Sequence, residues 1–164
     1  KGLNLAYVGD GNNVCNSLII GCAKTGVNIS TATPDGYRPD AESIKQARDS
    51  ARETGSNIRI LEDPEAAVKD ADAVYTDTFI SMGMEKEKEE RLKTFLPRYQ
   101  VDERLFSLAK PDAIFLHCLP AHRGEEVADA VIDGPNSAVW DEAENRLHTQ
   151  KALMEYLLLG NVKG

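Results

Sequence analysis

An alternation along the chain restricts its fold more than any other feature. Short apolar runs, each closed by turn residues, are separated by stretches with helical spacing. Residues 3–8 (Leu-Asn-Leu-Ala-Tyr-Val) read as a first strand, ended by Gly9-Asp10-Gly11. Residues 27–33 make a second strand, closed by Pro34-Asp35-Gly36. Residues 58–61, 73–76 and 113–116 supply three more, and 138–140 a short sixth. Between them, Val14, Leu18 and Cys22 repeat at helical spacing with Cys15 and Ile19 beside them, and Gly26 follows where a helix C-cap belongs. Residues 41–54 form a polar helix with a narrow stripe of Ile44, Ala47 and Ala51, stopped at Gly55. Residues 64–69 form a short helix, with Asp63 as N-cap and Pro64 at the first helical position. The run 85–91 has no apolar face and reads as a solvated helix, while 142–159 is a long closing helix. Strands alternating with helices predict an α/β fold, a doubly wound, Rossmann-like parallel sheet with helices on both faces. Ligands of such sheets sit at the carboxyl ends of the strands.

Composition narrows the partners. Nineteen Lys and Arg against 27 Asp and Glu leave a net charge of −8 over 164 residues, which disfavours nucleic acid and anionic membrane surfaces as partners. No apolar run approaches a membrane span, and the first thirty residues lack the basic-then-apolar pattern of a signal peptide, so the expected location is the cytoplasm. The three cysteines, Cys15, Cys22 and Cys118, are an odd count without a CxxC pair, unlike a secreted disulfide framework. The chain opens at Lys1 without an initiator Met and runs straight into a strand pattern, the look of a piece of something longer.

Two segments carry candidate chemistry. Gly9-Asp10-Gly11-Asn12-Asn13-Val14 lies where a dinucleotide fingerprint would lie, but Val14 replaces the third glycine. The second strand also ends in Thr31-Ala32-Thr33-Pro34, with no carboxylate at its tip to hold a ribose. A tight strand-to-helix turn capped by Asn12 or Asn13 competes with an Asn amide that contacts a polar ligand. His117-Cys118-Leu119-Pro120-Ala121-His122 follows the fifth strand directly. Two histidines and a cysteine can ligate zinc, but their spacing fits none of the usual structural patterns. A buried small hydrophobe and a thiol acting at a ligand site both remain open for Cys118.

Four motifs in register resemble a known family. His117-Cys118-Leu119-Pro120 looks like the HCLP signature of ornithine carbamoyltransferases, and Gly9-Asp10-Gly11-Asn12-Asn13 resembles their GDxNN turn. Asp77-Thr78-Phe79-Ile80-Ser81-Met82-Gly83 resembles their D-x-W-x-S-M-G loop, and Trp140-Asp141-Glu142-Ala143-Glu144-Asn145-Arg146 their WDEAENR segment. Phe79 stands where the family usually has Trp, and Met84 where it usually has Gln. The resemblance covers nearly the whole chain. It matches only the second of the family's two domains, since the Ser-Thr-Arg-Thr phosphate cradle of the first is absent from the sequence.

The resemblance implies one ornithine-binding domain over residues 1–164, with an N-terminal carbamoyl-phosphate-binding domain outside this chain. The implied reaction is attack of the uncharged δ-amine of L-ornithine on carbamoyl phosphate, giving L-citrulline and phosphate, as in arginine biosynthesis and the urea cycle. No metal or organic cofactor is implied. Asn13, Asp77, Ser81 and Met82 would bind ornithine. Cys118 would be catalytic, as proton acceptor beside the δ-amine. The carbonyls of Cys118 and Leu119 would take the carbamoyl NH₂, and Arg146 would polarise the carbamoyl oxygen. The complete enzyme would be a homo-oligomer, a trimer or a multiple of trimers. The alternative is a non-catalytic Rossmann-like module that binds a nucleotide or another small ligand. On either account the apolar residues Leu153, Met154 and Tyr156 to Leu159 exceed what a helix with one solvated side carries.

Overall fold

The expected alternation builds a five-stranded, all-parallel sheet. The computed structural model describes residues 1–80, 83 and 85–160. Its strands are β1 (Asn4–Val8), β2 (Asn28–Ala32), β3 (Ile58–Leu61), β4 (Ala73–Thr76) and β5 (Ile114–His117), in the order β3-β2-β1-β4-β5. Register runs from Leu5 opposite Ile29 on one side of β1 and opposite Ala73 on the other. The helices are α1 (Asn13–Thr25), α2 (Ala41–Thr54), α3 (Pro64–Val68), α4 (Lys88–Phe95), α5 (Glu103–Phe106), α6 (Asp129–Ile132) and α7 (Val139–Leu159), with a 3₁₀ turn at Glu85–Glu87. None of the described helices is long and apolar enough to cross a membrane.

Local chemistry sets the element ends. The side chain of Asn12 accepts from the Val14 and Cys15 backbone amides to cap α1, and that of Asp40 from Ser43 to cap α2. Both helices close on a left-handed glycine, Gly26 and Gly55. The strand period of two then sorts the core. Leu5 and Tyr7 face Cys15, Ile19, Cys22 and Ala47 of α1 and α2. Ala6 and Val8 face Val68, Phe95, Leu105 and Ile132 of α3 to α6 on the opposite side. Each large apolar side chain so buried contributes about 1.5–3 kcal/mol. Because both faces of β1 are covered, the strand is buried almost throughout.

Gly11 has a different task from a fingerprint glycine. Its amide donates to the Tyr37 carbonyl at 2.8 Å. A Cβ there would lie 2.3 Å from the Pro39 nitrogen and 2.5 Å from the Tyr37 oxygen. The absence of a side chain therefore lets two backbone segments touch. Gly11→Ala is expected to cost about 1–3 kcal/mol through overpacking, read as a lowered melting temperature. An unchanged melting curve would show that the 37–39 segment gives way freely.

Two expectations need correction. The sixth strand does not form: Ser137 makes one bridge to Phe115, and Val139 and Trp140 already open α7. The Ala138 amide bonds the Phe115 carbonyl, after which the chain turns helical and leaves the edge of β5. Nor is the 85–91 run wholly solvated, because Arg91 is buried on α4 together with Phe95. The ends of the strands differ by at most one residue, as between residues 113–116 and Ile114–His117. By contrast, α7 begins three residues before the expected 142, and α4 runs to Phe95, four residues past 91. α7 buries only Val139 and leaves Leu153, Met154, Tyr156, Leu157, Leu158 and Leu159 exposed.

Candidate functional site

The strand order reverses direction at β1, where chain-consecutive strands lead one way to β2 and β3 and the next pair, β4 and β5, lies on the other side. A crevice opens beyond the carboxyl ends at such a point. Three strand tips meet there: Asp10 to Asn12 after β1, Asp77 after β4, and Cys118 after β5. Asp77 is their hub and is only 6 % exposed. One carboxylate oxygen accepts from the Asn12 side-chain amide at 2.7 Å. The other accepts from the Thr78 backbone amide at 2.8 Å and from the Cys118 thiol at 3.1 Å. Asn12 thus caps α1 with its oxygen and holds Asp77 with its nitrogen, settling which of the two asparagines is the cap. Asn13, the first residue of α1, is exposed to the crevice.

Two clefts flank this hub, and Asn13 and Val14 line both. A cleft of about 520 Å³ contains Asp77, Thr78, Lys88 and Leu119, so an acid and a cation share its wall. A cleft of about 540 Å³ contains Cys118, Tyr75, Glu142 and Arg146. Asp77 and Leu119 therefore line one cleft and Cys118 and Arg146 the other, with Asn13 common to both. Ser81 and Met82 lie outside the described residues, as does Met84. A further cavity of about 560 Å³ between α2 and β3 includes Arg38 and Arg52, which pair with Glu62 and Asp49. It holds neither the thiol nor any of the strand tips at the reversal point.

The model of the aspartate/ornithine carbamoyltransferase family, Asp/Orn binding domain, matches residues 1–157. The chain belongs to this family. It is 59% identical over 163 residues to ornithine carbamoyltransferase of Pyrococcus horikoshii, covering 99% of this chain and 51% of that protein. To ornithine carbamoyltransferase of Bacillus subtilis it is 57% identical over 158 residues, covering 96% and 49%. Among solved structures, the ornithine carbamoyltransferase from Pyrococcus furiosus superposes with a TM-score of 0.90 at 57% identity, covering 94% of this chain and 49% of that one. The chain spans about half the length of the curated relatives it matches.

Within this Asp/Orn binding domain the loop after β5 is tightly held. The Leu119 amide donates to His117 Nδ1 at 2.9 Å, which places the ring proton on Nε2, facing Glu126 at 3.2 Å. His117 and Glu126 are fully buried. Leu119 has a φ of 55°, a left-handed conformation costly for a branched side chain and kept only where the surroundings enforce it. Asp77, His117 and Cys118 bring ligand atoms within 4.8 Å of one another. Both His117 nitrogens and the thiol are already engaged, however, so this trio is a hydrogen-bonded loop support and a poor metal donor set.

Burial first, then the bond and charge of Asp77, push the Cys118 thiol up to about 12. The group is a thiol at neutral pH and donates its proton to Asp77. Acting as a proton acceptor therefore requires that proton to pass to Asp77 first. Cys118 is expected to react slowly with iodoacetamide at about pH 8, where thiolate is scarce. Asp77→Asn removes the charge that opposes thiolate and should shift the alkylation profile to lower pH. Identical profiles, followed by mass spectrometry of the Cys118 peptide, would remove Asp77 from control of the thiol.

Arg91 was hidden in the charged run. Its guanidinium pairs with Asp10, its Nε donates to the Phe79 carbonyl at 2.6 Å, and it lies 4.9 Å from the centre of the Tyr37 ring. Burial raises the Asp10 carboxyl, and Arg91 opposes that rise. One residue thereby ties the β1 turn to the 77–80 segment. Its sequence signal is faint: Arg91 and Phe95 share a helix face four residues apart, beside Leu92.

Proposed function

We propose that this chain is the ornithine-binding domain of an ornithine carbamoyltransferase. The activity is transfer of the carbamoyl group from carbamoyl phosphate to the δ-amine of L-ornithine, giving L-citrulline and phosphate. The observation that carries this reading is the Asp77 hub, with Asn12 on one oxygen and the Cys118 thiol on the other, at the point where the strand order reverses. Asp77 pairs with the α-ammonium of ornithine, and Asn13 hydrogen-bonds the amino-acid head. Ser81 and Met82 complete that pocket. The side chain of ornithine then runs towards Cys118, bringing the δ-amine to the carbamoyl carbon.

Arg146 polarises the carbamoyl oxygen as the tetrahedral centre forms, and the carbonyls of Cys118 and Leu119 accept from the carbamoyl NH₂. The Leu119 backbone, tied by its amide to His117 Nδ1, supports that role, because acceptors already held in place need little reorganisation during reaction. The proton leaving the δ-amine passes to the Cys118 sulfur as the thiol proton moves to Asp77. Phosphate departs with the electrons of the broken C–O bond, with the carbamoyl-phosphate-binding domain supplying its cradle. We place the complete enzyme in the cytoplasm, as a trimer or a multiple of trimers without metal or cofactor. Its setting is arginine biosynthesis, in line with the name of a 56% identical Pyrococcus furiosus relative, "Ornithine carbamoyltransferase, anabolic". A nucleotide-binding module is less well supported, because Gly11 serves backbone packing and β2 ends without a carboxylate at its tip.

The test is citrulline formation by the intact protein from carbamoyl phosphate and L-ornithine, with L-aspartate as the competing acceptor. Turnover with ornithine and none with aspartate is expected, and the reverse preference, or no turnover, would end the proposal. The 164-residue chain alone should make negligible citrulline, since transition-state contacts to the phosphate are missing. A rate near that of complete family members would refute the two-domain account.

A further inference from the structure

We propose that Glu142 is the positioning residue for Arg146, pinning the root of α7 to the tips of β4 and β5 so that the guanidinium faces the thiol cleft. The inference rests on the carbamoyltransferase reading above and names the device that makes its Arg146 effective. Glu142 Oε1 accepts from the Tyr75 hydroxyl at 2.7 Å, and Oε2 from the His117 backbone amide at 3.0 Å. One carboxylate thus bridges the ends of two adjacent strands, immediately before Cys118.

An ordinary acid in the first turn of a helix points to solvent and interacts with the helix dipole. Asp141, Ala143, Glu144 and Asn145 are exposed in that way, whereas Glu142 is half-buried and turned to the sheet. Of the 21 residues of α7, Val139 alone is buried. The root of the helix is accordingly held by this apolar contact, by the Ala138 amide on the Phe115 carbonyl, and by Glu142. Arg146 is four residues along, on the same face, and lines the same cleft as Glu142, Tyr75 and Cys118. The bond has an electrostatic trace as well. After burial, the bond to Glu142 is the largest cause that keeps the Tyr75 hydroxyl protonated far above its ordinary value.

Both oxygens accept here, and the negative charge strengthens each bond. A glutamine would keep the His117 bond through its oxygen and reverse the Tyr75 bond at its nitrogen, with no charge to assist either. In Glu142→Gln two charge-assisted bonds become neutral ones, so the root is held less firmly and Arg146 leaves its line. A displacement near 1 Å is enough to lower rate strongly. In the intact protein, Glu142→Gln is expected to reduce kcat and raise KM for carbamoyl phosphate, together about 10- to 100-fold in kcat/KM. KM for ornithine should stay within about twofold, because Asp77 and Asn13 are untouched. Tyr75→Phe keeps the His117 bond and should show a smaller loss. Amide hydrogen exchange over residues 139–146 should quicken in Glu142→Gln whether or not substrate is present.

Wild-type kinetics in Glu142→Gln would overturn the proposal. So would a loss that merely follows the folded fraction, with unchanged kcat per folded site. A wild-type protein that makes no citrulline would overturn the carbamoyltransferase reading instead. In that case the exchange measurement still decides whether Glu142 holds the helix, and unchanged exchange would refute that too.

Discussion

Asp77→Ala is expected to abolish measurable ornithine binding. The carboxylate is nearly buried and already oriented by Asn12, Thr78 and Cys118, so in the proposed role it would meet the α-ammonium without reorganising. Removing one partner of such a desolvated ion pair costs about 2–5 kcal/mol, on the order of 30- to 5,000-fold in Kd. The fold should survive, because two of the three donors belong to residues that line the flanking clefts, Thr78 and Cys118, where water can replace the carboxylate. Their lost hydrogen bonds cost about 1–3 kcal/mol at most. Calorimetry with L-ornithine on the intact protein gives the result directly. An isotherm like that of the wild type would remove Asp77 from the ammonium site.

The second large effect is one of stability. Arg91→Ala leaves Asp10 buried without its counter-ion and empties the space between Tyr37 and Phe95. A broken buried pair costs about 3–5 kcal/mol, readable as a lower urea midpoint with an unchanged slope. The pair is a single unit, so the double variant Asp10→Asn, Arg91→Met should recover part of the loss and depart from additivity. Additive losses, or a single-variant cost below about 1 kcal/mol, would show that the guanidinium is solvated after all.

Chain-local features were legible from the residues. The α2 and β3 boundaries agree with expectation to the residue, since Asp40, Gly55 and the apolar run 58–61 act through neighbours in the chain. Where the outcome depended on distant partners, local pattern misled. Residues 138–140 look like a strand because short apolar runs suit either element, and only the edge of β5 decides between them. Arg91 sits in a run that looks wholly solvated, and its partner Asp10 lies 81 positions away. Motif resemblance singled out Asp77 and Cys118 individually, as candidates. The hydrogen bond that joins them across 41 positions follows from strand order, which no local pattern contains.

The length of α7 gives its weak footing a further meaning. Twenty-one residues extend about 30 Å, fastened at one end and bare of apolar cover at the other. Such a rod is a lever with Glu142 near its fulcrum. A tilt of about ten degrees at the root swings the far end by about 5 Å, while Arg146, close to the pivot, moves only a fraction of that. In the proposed role of Arg146, a surface that clasped the terminal leucines would aim the guanidinium finely, because a coarse grip at the long arm becomes a small correction at the short one.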